Sequence, residues 1–202
     1  MVKLDTSRYR FSFTTAALMP QEMRVVAESI IENSQFNFIE ELGKGKSATG
    51  RKYYSELNKR LATLTTQQLQ LLVSGDLSTQ KQLCFLAVCK TYAFIKDFTV
   101  DVLRDKILVH DYQITDGDYI SFLRGKMSSH EEIEKLTDFS QKKIRQVVFR
   151  ILEQAGVIDS VKGKLLQPQI LDAQSINAIR TDNPEWLKIF FFSDLDIHNL
   201  TS

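Results

Sequence analysis

Cysteine, proline and glycine are scarce in this 202-residue chain, which holds 2, 3 and 8 of them. Two cysteines cannot build a disulfide framework. Cys84 and Cys89 lie five apart in an apolar stretch, where a helix points them in different directions, so buried reduced thiols are expected. So few helix breakers favour a mainly helical chain with short connections. No apolar run approaches the ~20 residues that a membrane-crossing helix needs. No apolar segment follows the first basic residues as a secretory leader would, so a cytoplasmic protein is expected. The 3 histidines, His110, His130 and His198, are scattered and form neither a HExxH motif nor part of a paired-cysteine site. Asp116-Gly117-Asp118 is no calcium loop, because Tyr112 and Ile114 stand where upstream carboxylates would be needed. No serine or cysteine lies in a nucleophile elbow. The expectation is a non-enzyme without metal, cofactor or small-molecule substrate. Charge of one sign is lacking too: 26 Lys and Arg against 25 Asp and Glu give a net +1. Affinity for nucleic acid must therefore come from local patches.

Such patches exist. Between residues 44 and 60 stand Lys44, Lys46, Arg51, Lys52, Lys59 and Arg60 against the single acid Glu56. The segment Gly43-Lys44-Gly45-Lys46-Ser47 ends like a phosphate-binding P-loop, but Glu40 occupies the position of the required first glycine and residues 36–42 read as helix rather than strand. A nucleotide site is not expected. A flexible turn leading into a helix capped by Ser47 is, with backbone N–H groups and lysines able to hold a DNA phosphate. The tail carries Asp182, Glu185, Asp194 and Asp196 against Lys188.

Cap residues followed by 3.6-period apolar positions predict helices over 20–33, 34–42 (capped by Ser34), 47–64, 67–73, 78–94 (capped by Ser78), 96–109, 172–180 and 185–192. Trp186, Ile189, Phe190 and Phe192 should dock the last of these on the body. Only residues 8–13 hint at a strand in the first half. The turn-rich passage 110–117 divides the chain into a helical bundle, 1–112, and a second unit, 113–202.

The second unit reads as a winged helix-turn-helix. A helix over 119–126 precedes Ser128-Ser129-His130-Glu131-Glu132-Ile133, which has the form of a capping box. A third helix starts at Ser140 and closes at Ala155-Gly156. Residues 157–161 and 164–166 read as two short strands around Lys162-Gly163. In the third helix Ile144, Val147, Val148, Ile151 and Leu152 form a buried stripe, and Gln141, Lys142, Arg145, Gln146, Phe149 and Arg150 the opposite face. With Lys143, this helix carries four basic residues and no acid between 140 and 152. Arg, Lys and Gln so placed reach base edges or phosphates, while Lys162 and Lys164 on the wing reach a neighbouring phosphate or the minor groove. The alternative is a solvated cationic face on a protein-docking module.

Three stretches resemble the BrxA family of BREX (bacteriophage exclusion) systems. They are Lys46-Ser47-Ala48-Thr49-Gly50-Arg51 with its continuation to Leu64, the apolar helix of 80–90 after Val73-Ser74-Gly75, and the winged-helix segment ending Leu152-Glu153-Gln154-Ala155-Gly156-Val157-Ile158. The resemblance implies an all-α fold, with a NusB-like N-terminal bundle and a C-terminal winged helix. It also implies non-enzymatic binding of double-stranded DNA, and a role in phage defence beside other BREX proteins. Lys46, Arg51, Lys52, Lys59 and Arg60 match the family's basic stretch, and Lys142, Lys143, Arg145 and Arg150 its recognition-helix region. An assembly adaptor within the defence complex and a transcriptional regulator are the rival readings. A regulator would usually be a symmetric dimer, and no heptads for dimerisation are present.

Overall fold

A computed structural model describes residues 8–201; the first seven residues of the expected bundle, where a leader would begin, lie outside the described range. The fold is mainly helical. Helices α1 (Pro20–Ile31), α2 (Phe38–Glu41), α3 (Ser47–Leu61), α4 (Thr66–Ser74) and α5 (Leu77–Thr91) build the first half around α5. Residues 82–89 of α5 are buried on every side, as the apolar run 83–89 requires, with Gln82 donating to Ile170 O at 2.9 Å, and Cys84 and Cys89 are free thiols pushed up in pKa by that burial. Proline starts α1, and a Thr65–Gln68 capping box starts α4.

Several starts differ from the pattern in the sequence. Asn37 rather than Ser34 caps α2, and Asp76 rather than Ser78 caps α5, its carboxylate accepting from the Thr79 N–H at 2.8 Å. Ser47 is the first residue of α3 and makes no cap. The helix expected through 94 stops at Thr91, because Tyr92 is extended. After Tyr92, α6 (Ala93–Phe98) runs through a π-helical stretch (Thr99–Arg104) into α7 (Asp105–Leu108). Residues 8–13 form no strand; a 3-10 turn, Ser12–Thr15, lies there instead.

The second half comprises α8 (Asp116–Met127), α9 (Glu131–Glu134) and α10 (Asp138–Gln154). Thr115 and Asp118 form the capping box of α8, and Thr137 caps α10. The expected box at Ser128 is absent: both serine hydroxyls donate back to the end of α8, Ser128 to Gly125 O and Ser129 to Lys126 O, leaving α9 a single turn. Gly156 takes φ +73° to end α10, as expected. The two expected strands do not form. Among the described residues only isolated antiparallel bridges occur, Ile158 with Leu166 and Gln113 with Leu165. Backbone bonds flank the first bridge, from Asp159 N–H to Leu165 O and from Gln167 N–H to Val157 O at 2.9 Å each, and the Asp159 carboxylate and Ser160 Oγ accept from the Leu165 and Gly163 N–H groups at 2.8 Å, so the pairing stops after one bridge and residues 158–166 form a tight turn. Asp172 caps α11 (Ala173–Asp182), and Asn183 and Pro184 open a 3-10 helix, Pro184–Phe190. Leu187, Ile189 and Phe190 are buried and Trp186 and Phe192 half-buried, so this tail docks as expected. A further helix, α12 (Asp194–Thr201), follows, started by reciprocal bonds between Ser193 and Asp196.

An aromatic cluster joins the halves. Phe94 and Phe98 pack edge-on against Tyr119, and both meet Phe122; Phe149 of α10 meets Phe98 and Tyr119. Tyr9 straps across the same junction, stacking on His130 at 3.8 Å and donating to Asp97 at 2.7 Å. Arg104, the residue immediately before α7, donates to Phe192 O at 2.8 Å and anchors the C-terminal segment.

Arg60, expected to touch DNA, lies in the core instead. It is 0 % exposed. Its guanidinium pairs with Glu56 at 2.9 Å and donates to the carbonyls of Ala17 and Ala16 at 2.6 and 2.7 Å, and Tyr92 OH also donates to Glu56. Glu56 and Arg60 at i,i+4 turn one face of α3 inward as a fully satisfied polar network. Arg60→Ala strands a buried carboxylate and should lower stability by about 3–5 kcal/mol in urea unfolding, while Arg51→Ala on the same helix should stay within about 0.5 kcal/mol. Gly50 is where α2 meets α3: a Cβ there would lie 2.3 Å from Phe38 O. Gly50→Ala should cost about 1–3 kcal/mol in the same assay by forcing the two helices apart.

Candidate nucleic-acid interface

Burial sorts α10 into two faces. Ile144, Val148, Phe149, Ile151 and Leu152 are buried, and Lys142, Lys143, Gln146 and Arg150 are exposed along one stripe. Phe149 was expected on the outer face; it is 2 % exposed, because the neighbouring rings of Phe98 and Tyr119 offer it an apolar seat. Val147, expected inside, is half-buried. Gln141 is half-buried and donates to Leu136 O at 3.3 Å, so it serves the α9–α10 turn. Phe139, 78 % exposed, begins the outer stripe. It carries neither charge nor amide, and only its helical spacing to Lys142, Lys143 and Gln146 marks it in the sequence as part of this stripe.

The turn 158–166 lies against this helix. Lys142, Arg145 and Gln146 of α10 and Lys164 of the turn line one groove of about 310 Å³, floored by Phe149 and Val161. Lys164 Nζ stands 5.2 Å from the centre of the Phe149 ring, and the Arg145 guanidinium lies 6.0 Å from it. Both cations also bind the carboxylate of Asp116, at the start of α8. Hydrogen bonds from Lys164 and then Arg145 hold the Asp116 pKa down at about 2. A depressed carboxyl stabilises the fold above its ordinary pKa and loses that contribution only as pH falls through about 2, so this ion triad is intact at neutral pH. Lys162 projects into solvent at the tip of the turn.

None of the residues of the first basic island lines this groove. Lys44, Lys46, Ser47, Arg51 and Lys52 are exposed on the turn and first helical turns of α3. Lys59 is half-buried: burial lowers its pKa, and its ammonium donates to Ser12 Oγ at 3.2 Å and Tyr92 OH at 3.4 Å. Arg60 belongs to the core. Both α3 and α10 pack on the Ser12–Thr15 turn. The turn 43–47 follows a helix, so it lacks the strand of a P-loop. Among the described residues no group of His, Cys, Asp and Glu is placed to hold a metal, and no helix is long and apolar enough to cross a membrane.

Comparison with known proteins gives a consistent result. The chain is 25% identical over 182 residues to the BREX protein BrxA of Bacillus cereus (strain H3081.97), an alignment covering 85% of this chain and 90% of that one. It is 24% identical over 157 residues to the BREX protein BrxA of Escherichia coli O9:H4 (strain HS), covering 74% of each. The fold superposes on the crystal structure of an uncharacterized protein from Magnetospirillum magneticum with a TM-score of 0.77 and 19% identity, covering 91% of this chain and 98% of that one. Residues 7–183 match the BrxA family, and the chain belongs to it.

Proposed function

We propose that this chain is a double-stranded-DNA-binding, non-enzymatic component of a BREX phage-defence system, acting in the cytoplasm beside other BREX proteins. Membership of the BrxA family, with relatives that are BREX proteins, supports the system. The observation that carries the binding reading is the groove between α10 and the turn 158–166, where Lys142, Arg145, Gln146 and Lys164 converge beside the exposed stripe of Lys143 and Arg150. On this reading α8, α9, α10 and that turn act as a winged helix-turn-helix, following an N-terminal NusB-like bundle. The α10 stripe enters the major groove, with Phe139 against a thymine methyl and Gln146 at a base edge. Lys162 and Lys164 follow the backbone. Lys44, Lys46, Ser47, Arg51 and Lys52 grip phosphates on a second track. The net charge of +1 requires this division into local patches.

Leu77 and Ile170 favour a second reading. Both are exposed, and they line adjoining grooves that share Leu77 and Lys81, a surface suited to an assembly adaptor.

Fluorescence anisotropy with a labelled random-sequence duplex at several salt concentrations tests the first reading. Binding should be micromolar or tighter at low salt and fall linearly in log salt. Arg51→Glu with Lys52→Glu, and Lys142→Glu with Lys143→Glu, should each weaken it on the order of ten-fold or more. Absence of binding at low salt leaves the adaptor.

A further inference from the structure

We propose that the groove between α10 and the turn 158–166 is a site for one backbone phosphodiester of DNA, and that Asp116 holds its oxyanion position in the free protein. The proposal rests on the DNA-binding reading above. Arg145 comes from α10 and Lys164 from the turn, yet both reach the same atom, Oδ1 of Asp116. A guanidinium and an ammonium meeting at one oxygen form the charge-assisted donor set that takes a phosphate oxygen equally well. Beside them Phe149 and Val161 make an apolar floor, and Lys142 and Gln146 close the edge. A sugar–phosphate unit matches that layout, its oxyanion between the cations and its deoxyribose toward the half-buried Val161.

Asp116 is an exchangeable occupant. Its side chain is 57 % exposed, and exposed ion pairs are individually weak. It does not cap α8, a role filled by Thr115 and Asp118. Exchanging one single negative charge for another keeps Arg145 and Lys164 paired throughout. The carboxylate therefore competes with DNA and sets how tightly the groove holds a phosphate.

The experiment is anisotropy with the full chain and the labelled random-sequence duplex at physiological salt. Asp116→Asn should bind roughly five-fold tighter than wild type, and Asp116→Ser should do the same. Asp105→Asn removes the same charge from α7, outside the groove, and should change affinity less than about two-fold, since screening confines charge effects to about a Debye length. The gain should vanish when Asp116→Asn is combined with Arg145→Ala and Lys164→Ala. Gains no larger than that of Asp105→Asn, or a gain that survives loss of Arg145 and Lys164, would overturn the proposal while leaving DNA binding in place. Absence of binding by wild type and every variant at low salt would sink both.

Discussion

The ring of Phe149 fixes how this molecule meets the outside. It is clamped between Phe98 and Tyr119 on its inner side, and Arg145 and Lys164 lie near its outer side. With Phe149 inward, α10 cannot rotate without unburying an aromatic side chain worth several kcal/mol. That locks Lys142, Lys143, Gln146 and Arg150 outward. The same ring floors the groove, so one packing decision sets both the core junction and the shape of the candidate interface.

Much of this was legible in the sequence. Helix periodicity and caps gave most of the helices, the docking of the 184–192 tail and the close of α10 at Gly156, because these depend on neighbours within a few residues. What was not legible depended on distant partners. Arg60 looks like its cationic neighbours until the carbonyls of Ala16 and Ala17 arrive from another segment. Phe149 looks solvent-facing by its spacing until Phe98 supplies a seat. The two short strands shrink to isolated bridges because Asp159 and Ser160 turn the chain back by bonding the Leu165 and Gly163 N–H groups, which leaves backbone bonds only on either side of Ile158 and Leu166. The cap of α12 is local as well, since Ser193 and Asp196 bond each other within Ser193-Asp194-Leu195-Asp196.

The candidate site shows the same division. Charge counting located the two basic islands, and the structure separates residues that project from residues that support. Lys59 and Arg60 end α3 within the polar network around Glu56 and Tyr92, whereas Arg51 and Lys52 remain free to meet a phosphate. In the second island Arg145 and Lys164 stand in an intermediate state, partly exposed and sharing the single negative charge of Asp116. A protein of near-zero net charge gains selectivity for a polyanion by such arrangement rather than by bulk attraction.

On the proposed function, α10 and the adjoining turn are the surface that receives duplex DNA. Backbone-amide NMR of the full chain, titrated with a short random-sequence duplex, tests this most directly. The account predicts that resonances along Phe139, Lys142, Lys143, Gln146 and Arg150, together with Lys162, Lys164 and Asp116, shift first and furthest, while those around Leu77 and Ile170 stay in place. Shifts confined to the Leu77–Ile170 face, or a silent α10 in the presence of bound duplex, would contradict it.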